Sequence, residues 1–513
     1  MTLFSRLRRT KDQADVDPHA WKLPAPSRYS DPKPGGRQTV IPDPTVFANA
    51  LIPAEPTPGS LETVLVYPDA SHAAVHLALL ECFRNLRLSA SALDVQVVQP
   101  PSYHEALDAK KLPVSRSLQE SHRLPESQRW DLLIKLAVTR FTAWWSNIDQ
   151  VLNHARAYSH HAGNQIALQL AQDYLPPLDV LLVWYALMLN PDAYDAACRA
   201  HPGDVARLQK LCFPWPAVRH VIDMDKMEFC LPRTAQRLFT NMSSQSYDIL
   251  TYLESPPAYT DEGTVSYETD LFSEVKKHEV FIDEAHELLW IRSPAIRGSL
   301  ARASVDYLNF QLGGPIIESI AEEDQPFGVK LFWRTHRLFP RQYQAFLGEV
   351  GNIQAPLASD PIDSKDSKNT KLDAGDVSVV PDQCPCWTCE HIRDYLPAFV
   401  HTTLPQSSSS SSSSTPNTKQ PQLSSLSSEQ LLQIQDDLGF YHAVESARRR
   451  KAPLPTRPPT AAEREADRIA KEKKKEAGYL PGLNEYLEVL PDGTRKIRRQ
   501  KYAGSWVGDA WAI

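Results

Sequence analysis

The sequence contains no apolar run approaching the ~18 residues of a membrane span. Its first residues, MTLFSRLRRTKDQADVDPHA, lack the apolar stretch that a secretory signal requires. Three arginines and a lysine come early, but acids follow at once, which argues against a mitochondrial transit segment. Seven cysteines in 513 residues are too few for a disulfide framework, and the odd count fits a reducing compartment. Charge of one sign is missing as well. With 62 acidic and 55 basic side chains the net charge is -7, so the chain as a whole has no bias toward nucleic acid. These absences predict a soluble cytoplasmic protein without a membrane partner.

Catalytic signatures are equally scarce. There is no G-x-S-x-G, no G-x-x-x-x-G-K-[ST], no G-x-G-x-x-G and no H-E-x-x-H. None of the 16 histidines is followed two residues later by Asp or Glu, so the H-x-[DE] part of a non-haem iron site is absent.

Apolar residues make up 42 % and aromatics 9 %, enough for a globular majority, while 42 prolines and a mean hydropathy of -0.39 indicate that part of the chain is unpacked. Residues 1–55 are rich in Pro, Asp and Arg, lack periodicity, and read as a disordered lead. From about residue 60 the spacing turns helical: Ala74, Leu77, Ala78 and Cys82 share a face behind Ser71 as N-cap, and a long helix is predicted from Glu126 to Leu152. The fold class expected is mainly α: two related helical modules, 56–240 and 241–400, packed together between disordered ends. Residues 401–430 are a linker holding eight consecutive serines, Ser407 to Ser414, and 431–513 form a basic, largely disordered tail with one solvated helix near 460–477.

The two-module expectation rests on a repeat. DVLLVWYALMLNPDAY (179–194) and GVKLFWRTHRLFPRQY (328–343) align end to end, with Trp184 on Trp333, Leu189 on Leu338, Pro191 on Pro340 and Tyr194 on Tyr343, a constant offset (333 − 184 = 149). Val180, Val183, Trp184, Leu187, Pro191 and Tyr194 fall at helical spacing and form an apolar stripe. Proline cannot continue a helix interior, so each stretch should be two helices joined at Asn190-Pro191 and Phe339-Pro340, with Asn190 as a cap.

The stretches PPLDVLLVWYALMLNPDAYDAAC, FIDEAHELLWIRSPAIR and CPCWTCE resemble the glycine-rich-domain-containing (GRDP-like) protein family, especially its fungal members, over residues 60 to 400 or so. That family repeats a Trp-His-x-His-x-Leu-x-Pro core after an LDV lead-in, usually twice. Here Tyr185 and Leu187 occupy the histidine positions of the first copy, and Arg334 and His336 those of the second; the glycine-rich tail is absent. The resemblance implies an architecture rather than an activity.

Four residues bear on metal chemistry: Cys384, Cys386, Cys389 and His391, in the pattern C-x-C-x-x-C-x-H. Thiolates and imidazole are the ligands of structural zinc. Four ligands within eight residues would crowd one tetrahedral ion, and Pro385 stiffens the segment, so two readings stand: a zinc site completed by His391 or a distant residue, or a reduced turn packed through Trp387. The turn is preferred. His278 and His286, interleaved with Glu279, Asp283, Glu284 and Glu287, read as a solvated acidic helix face. The basic runs Arg448–Lys451 and Lys471–Lys475 are candidates for nuclear import or a nucleic-acid contact, and lack the interleaved aromatics that stack bases.

Two functions follow. The first is a non-catalytic scaffold or interaction protein with a protein partner. The alternative is an enzyme of unrecognised type, with His336 and Arg334 as its catalytic candidates in a cleft between the modules.

Overall fold

The computed structural model describes residues 17–24, 41, 43–48, 68–93, 96–97, 122–158, 169–254, 269–313, 322, 325–358, 384–395, 426–457, 461–476, 485–491 and 493–499. The serine run lies outside them. The described residues are mainly helical, and none of the described helices is long and apolar enough to cross a membrane.

The chain divides into two compact units, one of residues 1–30 and 39–455, the other of 31–38 and 456–513. At the centre of the first is helix α1 (Ala70–Ala92). Every position from Ser71 to Phe83 is buried, so α1 is enclosed on all sides rather than amphipathic. Its N-cap is Asp69, not Ser71: the Asp69 carboxylate accepts from the His72 amide at 2.9 Å, and the His72 ring accepts from the Asp69 amide at 3.2 Å. This reciprocal pair satisfies two donors at the helix start, where Ser71 could satisfy one.

Around α1 pack α2 (Glu126–Ser146), α4 (Leu178–Met188), α7 (Trp215–Val221), α11 (Glu279–Leu288), α12 (Ile296–Gly313) and α13 (Phe327–Arg337). The intervening helices are α3 (Ile148–Tyr158), α5 (Pro191–Ala200), α6 (Val205–Leu208), α8 (Arg233–Ser243), α9 (Ile249–Glu254) and α10 (Leu271–Lys277); α14 (Pro340–Ala358) follows α13. The long helix expected from Glu126 is interrupted at Asn147, whose side-chain amide turns back to the Ala143 carbonyl at 2.9 Å. Because α1 is buried against helices from both sides of residue 240, 56–240 and 241–400 are not separate compact units. One apolar cluster runs from Ile41 to Phe346.

Both halves of the aligned pair are helix–proline–helix corners. Asn190 caps α5 by accepting from the Ala193 amide at 3.2 Å, with Pro191 in the first turn. Pro340 opens α14 in the same way. Trp184, Trp333, Tyr194 and Tyr343 are all buried. The Phe213 amide donates to the Leu338 carbonyl at 3.0 Å, fastening the region after the first corner to the second.

Parts of both expected disordered ends are packed. Ile41, Val46 and Phe47 sit in the main core, and Arg297 pairs with Asp43 at 3.0 Å. From the region assigned to the tail, α16 (Ser428–Arg449) buries Ile434, Leu438 and Tyr441 against Leu289, Trp387 and Ile392. Its Glu445 forms an ion pair with Arg292 at 2.8 Å and accepts from Arg448 at 2.9 Å, and Arg448 also donates to the Asp225 carbonyl. Arg448 is thus used inside the fold, not solvated, and burial lowers its pKa to about 10. The chain can hold these charges there because they are linked: Arg292 also faces Glu81, which accepts from His286 at 2.9 Å.

In the second unit, α17 (Ala461–Glu476) is the expected solvated helix, with Arg468 paired to Glu465 and Glu472. A hairpin also lies there, between Glu485–Val489 and Arg495–Arg499, turning through Gly493 at φ +79°.

Candidate metal centre

The short helix α15 (Trp387–Asp394) has Cys386 at its N-cap, with extended backbone, and Cys389 three residues on. At a helix start these two positions project toward each other, which is how a capping box closes. C-x-x-C at this place therefore brings two sulfurs together through local geometry, and Cys384 reaches the same point from the preceding extended segment. The Pro385 carbonyl accepts from the Trp290 indole at 2.9 Å, which fixes the bend.

The fourth group is His19. Its Nδ1 lies 3.2 Å from Cys386 Sγ and 2.9 Å from Cys389 Sγ. The donor atoms of His19, Cys384, Cys386 and Cys389 all lie within 4.8 Å of one another. For a tetrahedral ion with bonds of about 2.0–2.3 Å, donor separations should be about 3.5–4 Å. Small side-chain adjustments would meet that spacing, so the four residues could hold a metal ion.

Asp17 positions His19. One carboxylate oxygen accepts from the His19 amide at 2.8 Å and the other from the Thr388 amide at 2.7 Å, an otherwise unpaired donor in the first turn of α15. The segment is held farther along where Gln435 donates to the Pro24 carbonyl at 2.6 Å and where Ala20 and Leu23 pack on the Trp387 cluster. On the other side of α15, Glu390 accepts from Ser299 at 2.7 Å, from Arg302 at 2.5 Å and from Arg393.

All seven cysteines are free. Hydrogen bonds from Cys386 and Cys389 pull the Cys384 pKa down, and the same shared protons push Cys386 and Cys389 up. A cation would replace those protons and let all three sulfurs ligate as thiolates.

The expectation that the three cysteines point apart is not met; they converge, although Trp387 is buried as that reading required. His391 is not among the converging groups. Its Nε2 bonds the Asp437 carboxylate at 3.0 Å, tying α15 to α16, and its ring stacks on Tyr395. Two residues apart on a helix are rotated by ~200°, so His391 and Cys389 cannot face one ion. His19 carried no local signal, since nothing in its spacing links it to a cysteine motif 365 positions away (384 − 19).

The catalytic candidates do not converge. His336 is enclosed, bonded to the Tyr307 hydroxyl at 2.9 Å, and burial pushes its pKa down to about 3, so it is neutral. Arg334 points elsewhere, donating to Glu322 at 2.6 Å and to His278 at 2.7 Å while lying 4.3 Å over the Phe281 ring. Neither lines the cleft beside Pro191 and Pro340 or the one beside Trp130 and Val275. On α11, Glu279 accepts from the Trp130 indole and Asp283 pairs with Arg84 and Arg87, so that acidic face is largely neutralised rather than solvated.

No known protein family, curated protein or solved structure matches this chain.

Proposed function

We propose that this chain is a non-catalytic scaffold for a protein partner, its peripheral segments stapled to a helical core by a structural zinc ion on His19, Cys384, Cys386 and Cys389. The observation that carries the reading is the convergence of three sulfurs and one imidazole from two distant segments. That donor set suits zinc, and four protein ligands leave no open position for a substrate or an activated water, which separates a structural ion from a catalytic one. The groups an enzyme would need, His336 and Arg334, are committed to Tyr307 and to Glu322 and His278 respectively. The GRDP-like resemblance and the origin of the two corners as copies of one module belong to the same proposal, supported by the constant offset and the matching helix breaks.

The staple is tested by limited proteolysis of the full chain before and after chelation. Release of residues 17–24 and loss of protection across α15 and α16, with the α1–α13 core intact, is the expected outcome. An identical cleavage pattern in both states would contradict a stapling role.

A further inference from the structure

The three sulfurs of the candidate metal centre are not equally shielded. Cys386 and Cys389 are buried, whereas Cys384, on the extended segment before α15, is half-buried and meets solvent. A sulfur held as thiolate is the form that oxidants attack, and access then decides which of the three reacts. The donor atoms lie within 4.8 Å of one another, so a second thiolate stands beside the first. An accessible thiolate with a resolving thiolate next to it is the arrangement of a redox-sensing cysteine pair.

The partner for Cys384 follows from backbone reach. A disulfide needs Cα atoms roughly 4.4–6.8 Å apart. Two residues of extended chain already span about 6.6 Å, and Pro385 fixes a φ between Cys384 and Cys386. Cys389, in the first turn of α15, is not joined to Cys384 by so short and stiff a link.

We infer that this centre is a peroxide-sensitive clasp, in which oxidation of Cys384 to a disulfide with Cys389 ejects the ion and frees residues 17–24. The inference rests on the zinc reading proposed above. Attack of the Cys384 thiolate breaks the peroxide O–O bond, giving a sulfenic acid and one hydroxide. The Cys389 thiolate then attacks that sulfur, closing the disulfide and expelling a second hydroxide. The two sulfurs lose the two electrons that the peroxide gains. Cys386 and His19 remain, two donors where zinc takes four. What still holds residues 17–24 is the Asp17 carboxylate on the Thr388 amide, the Pro24 carbonyl on Gln435, and the contact of Ala20 and Leu23 with the Trp387 cluster. Two hydrogen bonds add little net stability against the entropy of ordering the segment. It therefore lets go and uncovers the apolar surface beneath Ala20 and Leu23. Helix α15 stays in place, held by His391 on Asp437 at 3.0 Å and by Ser299 on Glu390 at 2.7 Å.

The test treats the full-length, zinc-loaded protein with hydrogen peroxide beside a colorimetric zinc indicator, with peptide mass mapping and hydrogen exchange on the same samples. The expected result is release of about one zinc per chain, a Cys384–Cys389 bridge, and faster exchange in residues 17–24 with α1 unchanged. Dithiothreitol followed by zinc should restore the starting state. Cys230→Ser, which removes the exposed cysteine outside the cluster, should release zinc at the wild-type rate. Protein that holds no zinc before oxidation would overturn the stapling reading and the clasp together. Zinc that is bound and then retained under peroxide would overturn the clasp alone, as would release without a bridge to Cys384 or without faster exchange in residues 17–24.

Discussion

Glu81→Gln is the perturbation whose consequences can be worked out most fully. Glu81 is buried on α1 and faces His286 on α11 and Arg292 in the turn after it. Burial alone would raise its pKa, but His286 and Arg292 outweigh it and hold the carboxyl at about 2, against 4.5 in an unfolded chain. A depressed carboxylate contributes stability above its unfolded pKa and loses it as the pH falls through its folded one. At ~1.4 kcal/mol per pKa unit, the shift corresponds to about 3 kcal/mol, present at pH 7 and lost between about pH 4.5 and pH 2. Glutamine keeps the shape and removes the charge. The variant should therefore be less stable at pH 7 by about 3 kcal/mol, and the deficit should shrink steadily below pH 4.5. Urea unfolding of both proteins at pH 7, 5, 4 and 3 measures this. A deficit that stays constant with pH, or one below ~1 kcal/mol at pH 7, would show that Glu81 is not held ionised by this network.

Trp184→Ala should lower stability by about 3–5 kcal/mol in chemical denaturation, since the ring is fully enclosed and packs at 5.2 Å from Trp144 and 5.5 Å from Phe213; an unchanged midpoint would refute the core placement. Trp333→Phe keeps most of the apolar bulk but removes the indole donor to Tyr343, so a smaller loss, about 1 kcal/mol from the hydrogen bond, is expected in the same assay. Asp179→Leu leaves Arg140 buried without its carboxylate partner at 2.6 Å and should cost about 3–5 kcal/mol; thermal unfolding within a degree of wild type would contradict this.

The helix–proline–helix corners were readable because their signals are local. An apolar stripe, a proline at the first helical position and an asparagine cap act within one or two turns, and Asn190 and Pro191 take up those roles. Ser71 illustrates how a local signal can mislead by two residues when a better cap, Asp69 with its reciprocal His72, stands just upstream. Helix α16 had a legible stripe, Ile434, Leu438 and Tyr441 at i, i+4 and i+7, but the basic run behind it suggested a solvated tail. Arg448 escapes that rule only through Glu445 and the Asp225 carbonyl, and the carbonyl is set by the tertiary fold. The metal cluster divides the same way. Cys386 and Cys389 meet through the geometry of one helix start, whereas His19 arrives by packing of a distant segment through Asp17.

Metal analysis of the purified full chain and of three variants, two at histidines and one at a cysteine, tests the stapling account most directly. The account predicts about one zinc per chain in the wild type, retention in His391→Ala, whose ring pairs with Asp437, and loss or strong weakening in His19→Ala and Cys386→Ser. A wild-type protein without stoichiometric zinc after expression in zinc-replete medium, or zinc lost from His391→Ala and kept by His19→Ala, would contradict it.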